Sequence, residues 1–283
     1  MEASKTAKDE NFPVGSILLP AKLRPHIAKF YNFARYADDV ADDKELSCEE
    51  KILKLEKLEN SLQGFGDNSE ETKTAFELRK SLIDIDDKLI IHALDLLKAF
   101  KQDALGKHYQ VWDELIYYCS YSASPVGRFM LDLHKEPLST HWSSDRVCVV
   151  LQILNHLQDL KKDYLNLKRI YIPSDFMKEY DVKPEDLAAD EASLGLRKII
   201  NLILDKTDNM LFEGKILPSI TMNFGLKVEI SIIIALAERL SIKLRLEDPI
   251  KHKVSLNKKD WFLSAAKGIF KAVFTRKTTT SCL

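Results

Sequence analysis

Two pairs of aspartates define the chemistry open to this chain. Asp38 and Asp42 stand four residues apart in FYNFARYADDVADD (30–43), and Asp159 and Asp163 repeat the spacing in VCVVLQILNHLQDLKKDYLNLKR (147–169). Steps of three and four place Gln152, Asn155, Asp159 and Asp163 on one line of a helix. The same spacing puts Arg35, Asp38 and Asp42 on one face of another, with Tyr31 a turn or two above. Both stretches are otherwise apolar: Val147, Val150, Ile153, Leu154 and Leu157 surround the second pair, and Phe30, Phe33, Ala37 and Val40 the first. A helix apolar all round is a buried helix. Buried carboxylates are costly unless a cation or hydrogen-bond donors meet them. Two such helices facing across one cavity would form a site that calls for positive charge. Oxygen-only ligands suit a hard cation, and magnesium completes its shell with water and phosphate oxygens.

Each candidate has a plainer reading. One acidic cluster at a helix end is usually solvated surface; two pairs on apolar helices are not so easily dismissed. Asp103, beside Gln102, reads by itself as a surface residue closing a helix. Arg169 reads as a cation favoured by a helix C-terminus, with phosphate binding as the alternative. Lys161 and Lys162 point away from the aspartate line and read as solvent-facing. Tyr117, Tyr118 and Tyr121 read as core and rim. His92, His134 and His156 have no ligand spacing, which argues against a zinc site. No P-loop, dinucleotide-binding or nucleophile-elbow motif occurs.

Long helices must carry these residues. The chain has 283 residues, of which only 9 are glycine and 9 proline, and no period-2 strand pattern, repeat or low-complexity linker appears. Hydrophobic content of 45% and charged content of 30% are ordinary for a globular protein, and a net charge of -1 offers nothing to nucleic acid. Cys48, Cys119, Cys148 and Cys282 form no C-x-x-C pair, which fits a reducing compartment. The start MEASKTAKDE lacks the apolar run of a secretory signal, the run Ile230–Ala237 is too short to span a bilayer, and Cys282 is misplaced for a prenylation box. The expectation is one all-α domain over 1–283, cytoplasmic, with residues 1–10 frayed.

Helices are expected at about Arg24–Asp42, Cys48–Leu62, Glu70–Leu82, Lys88–Gln102, Trp112–His134, Val147–Arg169, Asp190–Phe212 and Leu226–Leu246. Pro125 and Gly127 predict a break near Ser124–Val126. Short helical segments are expected at Ser174–Tyr180, capped by Ser174, and from Lys183 onward. The segment from Trp261 is basic and aromatic. It reads either as an interfacial helix on the inner face of a membrane or as a helix docked on the domain.

At these residues the chain resembles the squalene/phytoene synthase family of the trans-isoprenyl diphosphate synthase superfamily. FYNFARYADDVAD (30–42), YCSYSASPVG (118–127) and LQILNHLQDLKKDYLNLKRIYIP (151–173) carry the resemblance, which spans roughly residues 10–180. Within the family, ENFPVGSILLP (10–20), DLLKAFKQDALGKHY (95–109) and ASPVGRFML (123–131) look most like the hopanoid-pathway squalene synthase homologues. The resemblance implies an isoprenoid-synthase-type bundle around a central cavity. It implies that Asp38, Asp42, Asp159 and Asp163 hold Mg2+, with Asp39 and Asp103 close by and Asn155 on the same face. Arg35, Arg169 and Tyr171 would contact the diphosphate, and Tyr118 would be a cavity tyrosine. Ala123, Val126 and Gly127 would be small to make room for the isoprenoid chain.

Two departures stand out. Asn11–Ser16 replaces a His-Ser-x-Ser-Phe-type segment, and Gln158 stands where many members carry a phosphate-binding arginine. Both remove phosphate donors, as expected of a site that holds one diphosphate rather than two. The implied reaction is Mg-dependent conversion of presqualene diphosphate to hydroxysqualene and pyrophosphate. Head-to-head condensation of two prenyl diphosphates and a non-catalytic assembly role are the alternatives. Enzymes that make presqualene diphosphate and reduce the product are the implied partners.

Overall fold

In the computed structural model, residues 18–274 are described, and they contain twelve α-helices and no strand. The leading segment around Asn11, residues 1–10 with their expected fraying, and Arg276, Lys277 and Cys282 lie outside the described residues. The helices are α1 (Arg24–Asp42), α2 (Cys48–Gln63), α3 (Lys73–Ile83), α4 (Ile90–Ala104), α5 (Trp112–Ser122) and α6 (Ser124–Leu133). There follow α7 (His141–Leu167), α8 (Ser174–Glu179), α9 (Leu194–Gly214), α10 (Leu217–Ile220), α11 (Phe224–Leu246) and α12 (Lys258–Phe274). Buried apolar side chains from Leu19 to Val254 form one continuous cluster.

The longest helix, α7, runs 27 residues, about 40 Å at 1.5 Å per residue. It packs against α5, α6, α9 and α11, while α1 packs against α2, α3 and α4. A stripe of Val150, Ile153, Leu154 and Leu157 buries α7 in the core. Where it ends, Lys168 takes a left-handed conformation (φ 55°) and its N–H donates to the Asp163 and Tyr164 carbonyls. That turn sends Arg169 back toward the carboxylates instead of continuing the helix into solvent.

Local chemistry sets the other boundaries. Ser47 and Glu50 cap α2 reciprocally, and Gly64 closes it with a φ of 91°. The third helix begins at Lys73 rather than Glu70, because the Thr72 hydroxyl donates to the Asp67 carbonyl at 2.7 Å and folds the preceding residues into a turn. The fourth is preceded by a 3-10 turn over Asp87–Leu89. The break between α5 and α6 falls at Ala123 (φ -127°, ψ -46°), just before the expected stretch; Pro125 has no N–H with which to continue the helix. The Ser174 hydroxyl does not cap α8 but donates to the Tyr109 carbonyl at 3.1 Å. Residues 184–188 form a 3-10 turn, and Ser193 caps α9 at Leu194.

The last helix lies along α11. Asp260, Ser264, Gly268 and Ala272 form its buried stripe. A Cβ at Gly268 would come within 2.6 Å of the Ile232 backbone, so only glycine permits this approach. The large side chains point the other way: Phe262, Phe270 and Phe274 are exposed, with Phe270 and Phe274 packed together. Among the described residues, no helix is long and apolar enough to cross a membrane.

Candidate active site

The helices enclose a cavity of about 1060 Å³, and both aspartate pairs line it. Asp38 and Asp42 come from the last turns of α1, Asp159 and Asp163 from the C-terminal part of α7. Arg35 lies between the acids of its own helix, 2.9 Å from Asp38 and 2.7 Å from Asp39. Arg169 crosses from the turn after α7 to donate to Asp42 and to the Ala41 carbonyl. Arg169 thereby ties the two halves of the acidic end together.

Positive charge is still in deficit there. Burial, and then the nearby Asp42, push the Asp38 carboxyl above its ordinary range. Burial and Asp159 push Asp163 up to about 7, with Asp42 contributing from across the cavity. Among the described residues, no three acidic, histidine or cysteine side chains converge closely enough to hold a metal by themselves. Four carboxylates on two facing helices, with Asp38 and Asp163 raised by desolvation and a neighbouring carboxylate, are nevertheless a fitting donor set for hard cations that take further oxygens from a ligand.

Asp103 is not a surface residue. It lies in the last turn of α4, 9% exposed, and accepts a 2.8 Å hydrogen bond from the Tyr118 hydroxyl. Burial drives its carboxyl up to about 7 against the opposing pull of Arg169. Tyr118 belongs to an aromatic cluster with Tyr109, Tyr171 and His156, in which the His156 ring stacks on Tyr171 at 3.5 Å between centroids. Tyr117, by contrast, is on the outside, edge-on to Tyr121.

The remaining expectations divide. Asn155 and Gln152 line the cavity one and two turns from Asp159, and Ala123 and Val126 line it at the α5–α6 break. Gly127 lines it too, but its missing Cβ makes room for α7. A Cβ there would clash with Ser144 Oγ and Cys148 Sγ. Gln158 is absent from the cavity wall. It is buried and donates from Nε2 to the Val254 carbonyl at 2.6 Å, so it cannot meet a diphosphate there. Lys161 points outward to the Ala189 carbonyl, whereas Lys162 borders the cavity, 3.7 Å from Asp159.

Sequence reasoning missed or set aside several lining residues, among them Lys162, His156, Glu229 and Lys253. Lys253, in the linker from α11 to α12, sits next to the residue that Gln158 pins. No periodicity marks a linker lysine, so only the tertiary structure brings it to the acidic end. Much of the rest of the wall is apolar and aromatic, with Phe30 stacked on Phe129 at 3.9 Å.

An all-helical bundle with acidic helix ends facing each other above an apolar chamber defines the isoprenoid-synthase class of fold. The model of the squalene/phytoene synthase family matches residues 5–258. Hydroxysqualene synthase of Zymomonas mobilis is 42% identical over 95% of this chain and 91% of its own, and that of Rhodopseudomonas palustris is 40% identical over 98% and 94%. The crystal structure of squalene synthase HpnC from Alicyclobacillus acidocaldarius superposes with a TM-score of 0.68 at 27% identity, covering 82% of this chain and 86% of that one. The chain belongs to the squalene/phytoene synthase family.

Proposed function

We propose that this enzyme converts presqualene diphosphate to hydroxysqualene and releases pyrophosphate. One observation carries the proposal: a single cavity of about 1060 Å³ joins an acidic, arginine-bearing end to a largely apolar wall, in a chain at least 40% identical to two hydroxysqualene synthases over nearly its whole length. Asp38, Asp42, Asp159 and Asp163 would hold Mg2+ together with the diphosphate oxygens. Bound there, the metal neutralises the charge that develops on the leaving group. Arg35 and Arg169 add planar donors suited to phosphate oxygens, with Lys162 and Lys253 at the rim. Asp39 and Asp103 hold arginines and a tyrosine in place. Tyr118, Tyr171 and Asn155 line the level at which the carbon skeleton departs. Aromatic faces and the exclusion of water suit a carbocation. Ala123, Val126 and Gly127 would border the path of the isoprenoid chain by the α5–α6 break.

We also take the chain as one unit, which the continuous core supports. The outward rings of α12 support peripheral contact with a membrane surface, where so greasy a substrate and product reside. Enzymes that supply presqualene diphosphate and reduce the alcohol would then act alongside it.

The test is gas chromatography of products from presqualene diphosphate and from farnesyl diphosphate, each with Mg2+ and with or without NADPH, alongside pyrophosphate release. Hydroxysqualene from presqualene diphosphate without NADPH is expected, with little product from farnesyl diphosphate. Squalene appearing only with NADPH, or phytoene from geranylgeranyl diphosphate, would instead identify a condensing synthase. No pyrophosphate from any prenyl diphosphate would identify a non-catalytic member.

A further inference from the structure

Carbocation chemistry in this cavity ends in an alcohol only if water captures the cation and a base removes the extra proton. The aspartates are committed to the diphosphate end, and the Asp103 carboxylate is engaged by Tyr118. Asn155 and Gln152 carry amides, which are very poor bases. Two further candidates line the wall, His156 on α7 and Glu229 on α11. Glu229 lies in the second turn of α11, the end away from Lys253, and is engaged in other contacts.

His156 has the better position. It precedes Asp159 by three residues, about 4.5 Å along the helix axis, so it stands just beyond the diphosphate where the departing carbon would lie. It is 7% exposed, and its Nε2 has no hydrogen-bond partner. A buried polar atom without a partner calls for one; Nε2 is closed to bulk solvent, and a water or nascent hydroxyl held against it by the bound substrate would supply one. The ring is held flat against Tyr171.

Building on the proposed reaction, we infer that His156 is the base that takes the proton from the water capturing the rearranged cation. The balance is simple. The carbon–oxygen bond to the diphosphate breaks and its electron pair leaves with pyrophosphate. The cyclopropylcarbinyl cation rearranges to an allylic cation, and a water oxygen forms the new carbon–oxygen bond. One water proton passes to His156 Nε2, and from there to the departing pyrophosphate. Nothing is oxidised or reduced. Burial, and then Arg169, lower the imidazole to about 3, which keeps it neutral and able to accept. A protonated alcohol is so strong an acid that even this weak base suffices. Without the base, the cation would lose a proton from carbon instead and give a hydrocarbon.

The experiment measures the ratio of alcohol to hydrocarbon from presqualene diphosphate in full-length His156→Phe, His156→Gln and Glu229→Gln, with pyrophosphate release and circular dichroism in parallel. Phenylalanine keeps the flat ring on Tyr171 but removes the acceptor. In His156→Phe the ratio is expected to fall about a hundredfold, with a smaller drop in pyrophosphate release. Glutamine, whose amide can hydrogen-bond the water but not take its proton, should leave the ratio low as well and stands in if the phenylalanine variant does not fold. A wild-type ratio in both His156 variants, or the same collapse in Glu229→Gln, overturns this inference alone. No pyrophosphate from the wild-type enzyme overturns the substrate assignment and this inference with it.

Discussion

Asp38 and Asp159 belong to opposite walls of the cavity, yet the same deficit of positive charge governs both pairs. If they hold magnesium, Asp38→Asn and Asp159→Asn should each lower turnover by about a hundredfold or more while the helical spectrum is kept. Undiminished activity in EDTA would count against the metal role. Lys253 and Gln158 test a different contact. Lys253→Met should raise KM about tenfold, the loss of one charge-assisted contact of about 1.4 kcal/mol. Gln158→Leu frees the Val254 carbonyl and unpins the linker, so it should raise KM in the same direction. Because one residue acts through the other, the double variant should cost less than the product of the two. Full multiplicativity would show that Gln158 serves only the core.

Among the elements, α6 and α12 make separable predictions. Ala123 lies at the break and borders the cavity, so Ala123→Phe should block a C30 substrate while circular dichroism stays helical. Gly127→Ala should behave differently. Its new Cβ meets Ser144 and Cys148 on α7, and overpacking of that kind costs about 1–3 kcal/mol, visible as a lower melting temperature. The last helix exposes Phe262, Phe270 and Phe274 and buries a stripe of small residues around Gly268. Changing the three phenylalanines to serine leaves its packing on α11 intact, and it should abolish flotation with anionic liposomes. Equal flotation of the two proteins would refute the membrane contact.

For the molecule as a whole, the acidic end makes stability depend on pH. A carboxyl whose pKa is raised on folding stays protonated in the folded state after the unfolded chain has ionised. The folded state then binds more protons, and stability falls as pH rises. With Asp103 and Asp163 raised from 3.8 to about 7, the loss should run from about pH 4 to pH 7. The melting temperature in EDTA should therefore be higher at pH 5 than at pH 8. Magnesium with pyrophosphate should restore the value at pH 8 by binding only the folded state, and Asp163→Asn should flatten the profile. A melting temperature that rises from pH 5 to pH 8 in EDTA would contradict the deficit of positive charge.

The sequence by itself determined much of this. Apolar periodicity marked the long helices, Pro125 marked the break to within a residue or two, and the repeated four-residue spacing singled out the aspartates. Spacing along one helix is a local property, and local geometry is what a sequence states directly. What the tertiary structure decided is which residues from distant segments share one space. It turned Asp103 inward beneath Arg169, took Gln158 out of the cavity, and brought in Lys253 from a linker with no pattern. It also showed that Gly127 is small partly for the sake of α7. His156 is the sharpest case. In the sequence it is a lone histidine without a ligand partner, and its place on the cavity wall depends on how α7 is rotated against Tyr171, which only long-range packing sets.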